Sequence, residues 1–139
     1  KHELMCLPLF RQAIKVFGFI PVKRGLGKSE VTKVIRDGTA RLREGNWIVI
    51  FPEGTRVAHG KTKKYGLSGA LLAVGTSSNI TPIAHNAGRY WGRRSLIKKR
   101  GSIVFSVGSQ ISTFGKSYDE INEEAKTWID AETKRIDSL

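Results

Sequence analysis

The sequence predicts an α/β fold, a single domain over residues 1–139 in which helices flank a central sheet that is largely parallel or mixed. Two observations predict it: short apolar runs alternate with segments of helical period, and turn or capping residues separate most of them. With 139 residues, 40% of them hydrophobic, the chain is long enough to bury one core. A soluble, globular α/β domain is therefore the starting expectation.

The first half contains four predicted elements. Residues 7–17 have roughly helical apolar spacing, and residues 18–22 form a short apolar run with a glycine and a proline, typical of a buried strand. A helix is predicted over residues 29–45, with Ser29 as its N-cap and a glycine at its C-terminal end. Residues 46–51 (NWIVIF) are apolar on both faces, as central parallel strands are.

The second half continues the alternation. Small residues over 67–76 predict a short, closely packed helix, and residues 79–85 and 101–107 predict strands. A final helix begins with Ser117 and Glu120 in capping-box spacing. Its apolar stripe consists of Ile121, Ala125, Trp128 and Ile129. Strands that alternate with helices in this way favour parallel pairing.

The charge distribution points to an anionic partner. The net charge is +12, although residues 118–139 contain seven acidic and only three basic residues, so the excess of positive charge lies in residues 1–117. Nucleic acid, acidic lipid or a phosphorylated substrate would fit, and a solvated basic surface is the plain alternative. Cys6 is the single cysteine, so no internal disulfide can form and a reducing compartment is expected. No apolar run is long enough to span a membrane as a helix.

Two arginines follow predicted strands. Arg24 comes after the strand at 18–22, and Arg56 follows the strand at 46–51. Because the carboxyl ends of parallel strands meet at one edge of a sheet, both guanidinium groups could converge on a phosphate monoester. Glu53 could orient an arginine or accept from a hydroxyl, and Gly54 lets the backbone approach a ligand. A surface turn with a solvated salt bridge is the competing interpretation.

Other chemistries find less support in the sequence. The stretch GLGKS (25–29) lacks the first glycine of a P-loop, because Val22 occupies that position. His2, His59 and His85 have no cysteine or second histidine at metal-ligand spacing, so we expect no metal site. His59 has no acid nearby in sequence, and His85 is expected to pack or hydrogen-bond locally. We expect no cofactor.

Residues 89–100 combine six basic residues with Tyr90 and Trp91. Bases and aromatics can bind nucleic acid through phosphate contacts and stacking. They can equally lie on anionic lipid headgroups, with the aromatic rings at the interface. No nucleic-acid-binding signature accompanies the segment, so the sequence favours lipid over nucleic acid. The residues predicted to face an anionic membrane or partner are Arg89, Trp91, Arg93, Arg94, Lys98, Lys99 and Arg100.

The strings GFIPVKRG (18–25), FPEGTR (51–56) and ITPIAHNAGRYW (80–91) resemble, in order and spacing, the bacterial 1-acyl-glycerol-3-phosphate acyltransferases of the glycerophospholipid acyltransferase family. The resemblance covers essentially the whole chain and implies a glycerol-3-phosphate acyltransferase-like fold. It implies that an acyl group passes from acyl-CoA or acyl carrier protein to the free hydroxyl of lysophosphatidic acid, giving phosphatidic acid. The residues it implies for the acceptor phosphate are Arg24, Glu53, Gly54, Thr55 and Arg56, with Lys23 and Pro82 as possible support.

The chain departs from the family pattern in its catalytic element. In the family this element is a histidine that serves as general base, with an aspartate five positions later that orients it. The residues five positions after the three histidines are Leu7, Lys64 and Tyr90, so residues 1–139 contain no catalytic residue of this type. We expect that motif upstream of this segment, and we expect the chain alone to bind without catalysing. A second departure is Tyr65-Gly66, where the family commonly has an aromatic residue followed by lysine.

Three alternatives stay open beside this interpretation: a non-catalytic module that binds lipid or phosphate, nucleic-acid binding through residues 89–100, and an acyltransferase with a different glycerolipid acceptor. The resemblance further implies an anionic membrane surface as a partner. It places the protein at the cytoplasmic face of the bacterial inner membrane, held there peripherally or by a segment outside this chain.

Overall fold

A computed structural model describes residue 12 and the ranges 16–21, 28–92 and 95–139. The chain divides into two compact units, residues 1–49 and residues 50–139. The boundary falls inside the apolar run 46–51, which the sequence predicted to be one continuous strand.

The first unit contains helix α1, Lys28–Arg43. The predicted C-terminal end is confirmed: Gly45 has a φ of +80°, its N–H bonds to the carbonyl of Leu42, and the N–H of Asn46 bonds to the carbonyl of Arg41. These two bonds form a Schellman motif, which favours glycine because a side chain disfavours the left-handed conformation. The predicted start is wrong by a small margin, since Ser29 lies within the helix and is not its N-cap.

Two of the predicted strands do not form in the described residues. Most of the predicted helix at 7–17 lies outside those residues, and so does Val22, the last residue of the predicted strand at 18–22. Phe17 and Gly18 form a turn, and residues 18–21 contain no strand. Residues 46–51 also contain no strand, because no described residue provides the backbone of 47–50 with a ladder partner. The alternating side chains of Trp47, Val49 and Phe51 are 75% or more exposed, so the run is not covered on both faces.

The second unit contains both strands of the described residues. Strand β1, Ile83–His85, pairs with β2, Phe105–Val107, in an antiparallel register that places Ala84 opposite Ser106. An isolated antiparallel bridge joins Ile80 and Ile111 beyond them. The predicted strands at 79–85 and 101–107 therefore exist but are shorter, and the parallel orientation expected from alternating elements does not hold for this pair.

Three helices accompany this small sheet in the described part of the second unit. Helix α2 is Ser68–Gly75, the one-turn helix α3 is Ala87–Tyr90, and α4 is Tyr118–Asp137. Both α2 and β1 pack against α4. The core consists of Ala70, Ile111, Ile121 and Ala125, with Val74 and Ile80 packed against it. Since Ile121 and Ala125 belong to the predicted stripe, the buried face of α4 is confirmed.

The predicted capping box at the start of α4 is also confirmed. The Ser117 hydroxyl accepts a hydrogen bond from the backbone N–H of Glu120, and the Glu120 carboxylate accepts one from the backbone N–H of Ser117 at 2.8 Å. Two N–H groups that would otherwise lack partners in the first turn are thereby satisfied.

Candidate functional site

The candidate site is built on a tight turn after Phe51. The N–H of Gly54 bonds to the carbonyl of Phe51 at 3.0 Å, and the φ of Gly54 is +67°. A Cβ at Gly54 would meet no atom within 4 Å, so the glycine is required by its backbone conformation and not by crowding. The turn therefore ends the apolar run abruptly and presents Glu53, Thr55 and Arg56 in succession.

Two contacts from the following loop hold this turn. The N–H of Gly66 bonds to the carbonyl of Pro52 at 2.8 Å, and the Lys63 ammonium donates to the carbonyl of Glu53 at 3.0 Å. Lys63 therefore has a structural partner in the turn, which the sequence alone could not assign. Both bonds are accepted by backbone carbonyls of the turn and not by its side chains.

The Glu53 carboxyl lies half-buried in an unfavourable electrostatic environment. Burial raises the pKa of Glu53 above its ordinary value, and the negative charge of Asp130 raises it further, whereas His85 and Lys63 lower it. Desolvation and a like charge both favour the neutral acid. Because Asp130 belongs to α4, far along the chain, its influence on the turn could not be anticipated from local sequence.

Tyr65, in the loop after the turn, is buried, with 6% of its surface exposed. Burial raises the pKa of its hydroxyl to about 12, and Asp130 and Glu53 add to that effect. The Lys126 ammonium bonds to Asp130 at 2.6 Å and lies 5.9 Å from the Tyr65 ring. Sequence reasoning missed this contact between α4 and the loop; the Lys126–Asp130 spacing of one helical turn was its only local signal.

Arg56 lies exposed beside the predicted basic segment. Its guanidinium carbon is 6.0 Å from the ring of Trp91, and the Lys98 ammonium is 4.6 Å from the same ring. The indole N–H donates to the carbonyl of Ser95 at 3.0 Å, which fixes the orientation of the ring. The structure thus brings Arg56 of the predicted phosphate site and Lys98 of the predicted membrane patch to the ring of Trp91, which also belongs to that patch.

The remaining predicted residues have different positions. Lys23, Arg24, Arg93 and Arg94 lie outside the described residues, so the convergence of Arg24 with Arg56 stays a prediction. Lys99 and Arg100 are exposed, and the N–H of Lys99 bonds to the carbonyl of Tyr90.

Arg89 and Pro82 make structural contacts. The Arg89 guanidinium donates to the carbonyl of Asp137 at 3.1 Å, at the C-terminal end of α4. Pro82 is buried, and its carbonyl accepts a hydrogen bond from the N–H of Gly108. The ligand-binding roles predicted for these two residues stay predictions.

The histidines show one confirmed expectation and one contact that the sequence did not predict. His85 packs locally as expected: its Nδ1 accepts from the N–H of Ala87, and its ring lies 5.5 Å from that of Phe105. His59, which has no acid nearby in sequence, lies 3.7 Å from the carboxylate of Asp137 in the folded chain.

The described residues contain neither a metal site nor a membrane-spanning helix. Within these ranges, no group of three or more histidine, cysteine, aspartate or glutamate side chains is placed to hold a metal ion. None of the helices in the described part of the chain is both long and apolar enough to cross a bilayer.

An exposed arginine on a fixed turn, beside an aromatic ring and a lysine in an α/β protein, has the chemistry to bind a phosphorylated ligand. A sequence profile of the family described as Acyltransferase matches residues 1–86, and the chain belongs to that family. The chain is 33% identical, over 93% of its length and 51% of the relative's, to the 1-acyl-sn-glycerol-3-phosphate acyltransferase of Pseudomonas aeruginosa. It is 25% identical, over 100% of its length and 56% of the relative's, to the protein of the same name from Borreliella burgdorferi.

The chain therefore spans about half the length of these curated relatives. Among solved structures, it matches the crystal structure of the 1-acyl-sn-glycerophosphate (LPA) acyltransferase PlsC from Thermotoga maritima, with a TM-score of 0.81 and 17% identity. The match covers 99% of this chain and 55% of that one. This structural likeness confirms the predicted α/β fold class.

Proposed function

We propose that this chain is the acceptor-binding part of an enzyme that transfers an acyl group to the free hydroxyl of 1-acyl-glycerol 3-phosphate. The observation that carries the proposal is the fixed turn at Phe51–Arg56, which presents an exposed guanidinium in a chain that belongs to the Acyltransferase family. The names of the curated relatives supply the acceptor. An arginine is suited to a phosphate monoester because its planar, permanently charged fork matches the phosphate oxygens.

The reaction consists of one bond exchange. The acceptor hydroxyl attacks the thioester carbonyl of acyl-CoA or acyl carrier protein, an ester forms, the carbon–sulfur bond breaks and a thiol leaves. A general base must take the hydroxyl proton, and residues 1–139 contain no histidine with an aspartate five positions later to serve that role. The contribution we assign to this chain is therefore binding and orientation of the acceptor.

The test is thiol release from an acyl-CoA in the presence of lysophosphatidic acid, using the complete gene product that contains this sequence. We expect Arg56→Ala to raise the KM for lysophosphatidic acid by about 10- to 100-fold, the range for loss of a charged hydrogen bond. Lys134→Ala, a change of equal charge in the last turn of α4, is the control and should leave the KM unchanged.

Acceptor choice separates the alternatives. Glycerol 3-phosphate and a lyso-lipid whose phosphate bears a larger headgroup are assayed beside lysophosphatidic acid. Faster turnover of either would assign another acceptor to the same site. Vesicle binding without thiol release from CoA or carrier-protein donors would leave a non-catalytic lipid-binding module and overturn the acyltransferase proposal.

We propose further that the protein works at the surface of an anionic membrane, at the cytoplasmic face of the bacterial inner membrane. The net charge of +12 supports this location, because anionic lipid headgroups attract basic surfaces. The nature of the acceptor supports it as well, since lysophosphatidic acid is an amphiphile that resides in membranes.

A further inference from the structure

We propose that residues 95–100 form a membrane-inserting loop, in which Leu96 and Ile97 enter an anionic bilayer while the cations that follow bind its headgroups. The inference rests on the membrane location proposed above and names the part of the chain that makes the contact. It does not depend on acyl transfer.

The first argument is exposure. Leu96 is 99% exposed and Ile97 is 76% exposed, so two adjacent large aliphatic side chains stand in solvent. A single exposed apolar residue is ordinary, but a contiguous exposed pair has apolar surface that water solvates unfavourably. Transfer of such side chains into the acyl boundary of a bilayer would remove that surface from water.

The second argument is charge complementarity. Lys98, Lys99 and Arg100 follow the aliphatic pair directly and are all exposed. Exposed aliphatic residues with cations next to them match the cross-section of an anionic membrane, in which headgroup phosphates lie just outside the hydrocarbon. Nucleic acid would use the cations but would leave Leu96 and Ile97 in water, so lipid fits the whole loop better.

The third argument is that the loop is held in shape. The Ser95 hydroxyl donates to the carbonyl of Ile97 at 2.9 Å and accepts from its N–H, forming a tight local turn. The indole of Trp91 donates to the carbonyl of Ser95, and the N–H of Lys99 bonds to the carbonyl of Tyr90 at 2.8 Å. A loop fixed on both sides loses little conformational entropy when it inserts.

The fourth argument is position. Trp91 is half-exposed, and both Lys98 of the loop and Arg56 of the candidate phosphate site lie within 6.0 Å of its ring centroid. Tryptophan is enriched at membrane interfaces, where one end of its side chain is apolar and the other wet. The loop would therefore hold Arg56 near headgroup level, where the phosphate of a lysophospholipid lies.

The test is flotation of the protein with vesicles of neutral phosphatidylcholine, alone or mixed with phosphatidylglycerol. We expect binding to the anionic vesicles and an increase of about tenfold or more in the lipid concentration for half-maximal binding of Leu96→Ser/Ile97→Ser. Lys98→Gln/Lys99→Gln should weaken binding by about fivefold per charge at low salt and have little effect at high salt. Melting temperatures should be unchanged, because the four side chains are exposed.

Matched controls use equally exposed residues elsewhere. Phe114 is 94% exposed, and Phe114→Ser should bind vesicles like wild type. A polarity-sensitive fluorophore placed at Leu96→Cys in a Cys6→Ser background should shift to the blue with anionic vesicles, whereas the same label at Phe114→Cys should not.

Each outcome has a distinct meaning. Equal vesicle binding by wild type and by Leu96→Ser/Ile97→Ser would overturn the loop inference and leave the membrane location standing. Equal weakening by Phe114→Ser would overturn it too, as would stronger binding of RNA or DNA than of vesicles through the same cations. Acyl transfer is measured separately with the complete gene product and substrate in detergent micelles, where Leu96→Ser/Ile97→Ser should retain the wild-type rate. If the wild-type protein shows no acyl transfer in micelles, the proposed function is refuted and the loop inference is not affected.

Discussion

Substitution of Gly108 by alanine tests the packing of the second unit. Gly108 follows β2, and its N–H bonds to the carbonyl of Pro82 at 2.9 Å. A Cβ at this position would lie 2.7 Å and 2.8 Å from two ring carbons of Trp128 and 2.9 Å from the Cγ of Pro82. Carbon atoms pack at about 3.5–4.0 Å, so the new methyl group would overlap with three atoms.

The neighbouring atoms have little room to move. Trp128 lies on the stripe by which α4 covers the sheet, and Pro82 is buried with its ring fixed by its own backbone. The φ of Gly108 is not positive, so the cost of alanine there is steric and not conformational. We expect Gly108→Ala to lower the free energy of unfolding by about 1–3 kcal/mol, the range for overpacking a filled site.

The assay is reversible urea or thermal unfolding of the two glycine variants. Gly75→Ala is the control, because a Cβ there would meet no atom within 4 Å, and this variant should be as stable as wild type or slightly more so. If the overlap is the cause, Gly108→Ala should cost less in a Trp128→Leu background, giving a favourable coupling in the double-mutant cycle. Wild-type stability of Gly108→Ala, or an equal loss for Gly75→Ala, would refute the reasoning.

Three further predictions concern single side chains. Because the folded-state pKa of Glu53 is raised above 4.5, ionisation of its carboxyl lowers the free energy of unfolding as pH rises. Glu53→Gln should therefore be at least as stable as wild type at neutral pH. Urea unfolding should show that the difference in free energy between the two proteins vanishes at about pH 4 and below. Ser117→Ala removes the acceptor for the Glu120 N–H and should cost about 1 kcal/mol in the same assay. Hydrogen bonds from Arg135 and Ser106 lower the pKa of Glu132 to about 2. The stabilising contribution of the ionised Glu132 is therefore complete above pH 4.5 and is lost as the pH falls toward 2. Glu132→Gln should lower the melting temperature near neutral pH and lower it progressively less in acid.

Elements set by neighbouring residues could be predicted from the sequence. The capping box of Ser117 and Glu120 and the glycine end of α1 at Gly45 depend on bonds between residues a few positions apart, and both exist. The apolar run 46–51 was misleading because a strand needs a partner, and periodicity carries no information about pairing. The antiparallel register of β1 and β2 was missed for the same reason.

In the candidate site, too, the features set by neighbouring residues could be predicted, and those that depend on distant residues could not. The string FPEGTR predicted Glu53 and Arg56 as site residues, and their roles stay predictions, whereas Gly54 adopts the conformation that such a turn requires. What surrounds them comes from distant parts of the chain: Asp130 acts on Glu53 from α4, and the ring that Arg56 faces belongs to the segment after β1. Long-range contacts of this kind depend on tertiary packing, which no local pattern encodes.

The position of Trp91 gives the two proposals a common physical basis. An acceptor with one acyl chain leaves its phosphate at headgroup level only while the chain stays in the bilayer, so a phosphate-binding guanidinium must be held at that depth. Arg56 lies 6.0 Å from the indole whose ring also faces Lys98, directly after the exposed pair Leu96 and Ile97. Insertion of that pair would set the depth of Arg56. Loss of the pair should therefore raise the acceptor KM on vesicles and leave it unchanged in micelles, whereas loss of Arg56 should raise it in both.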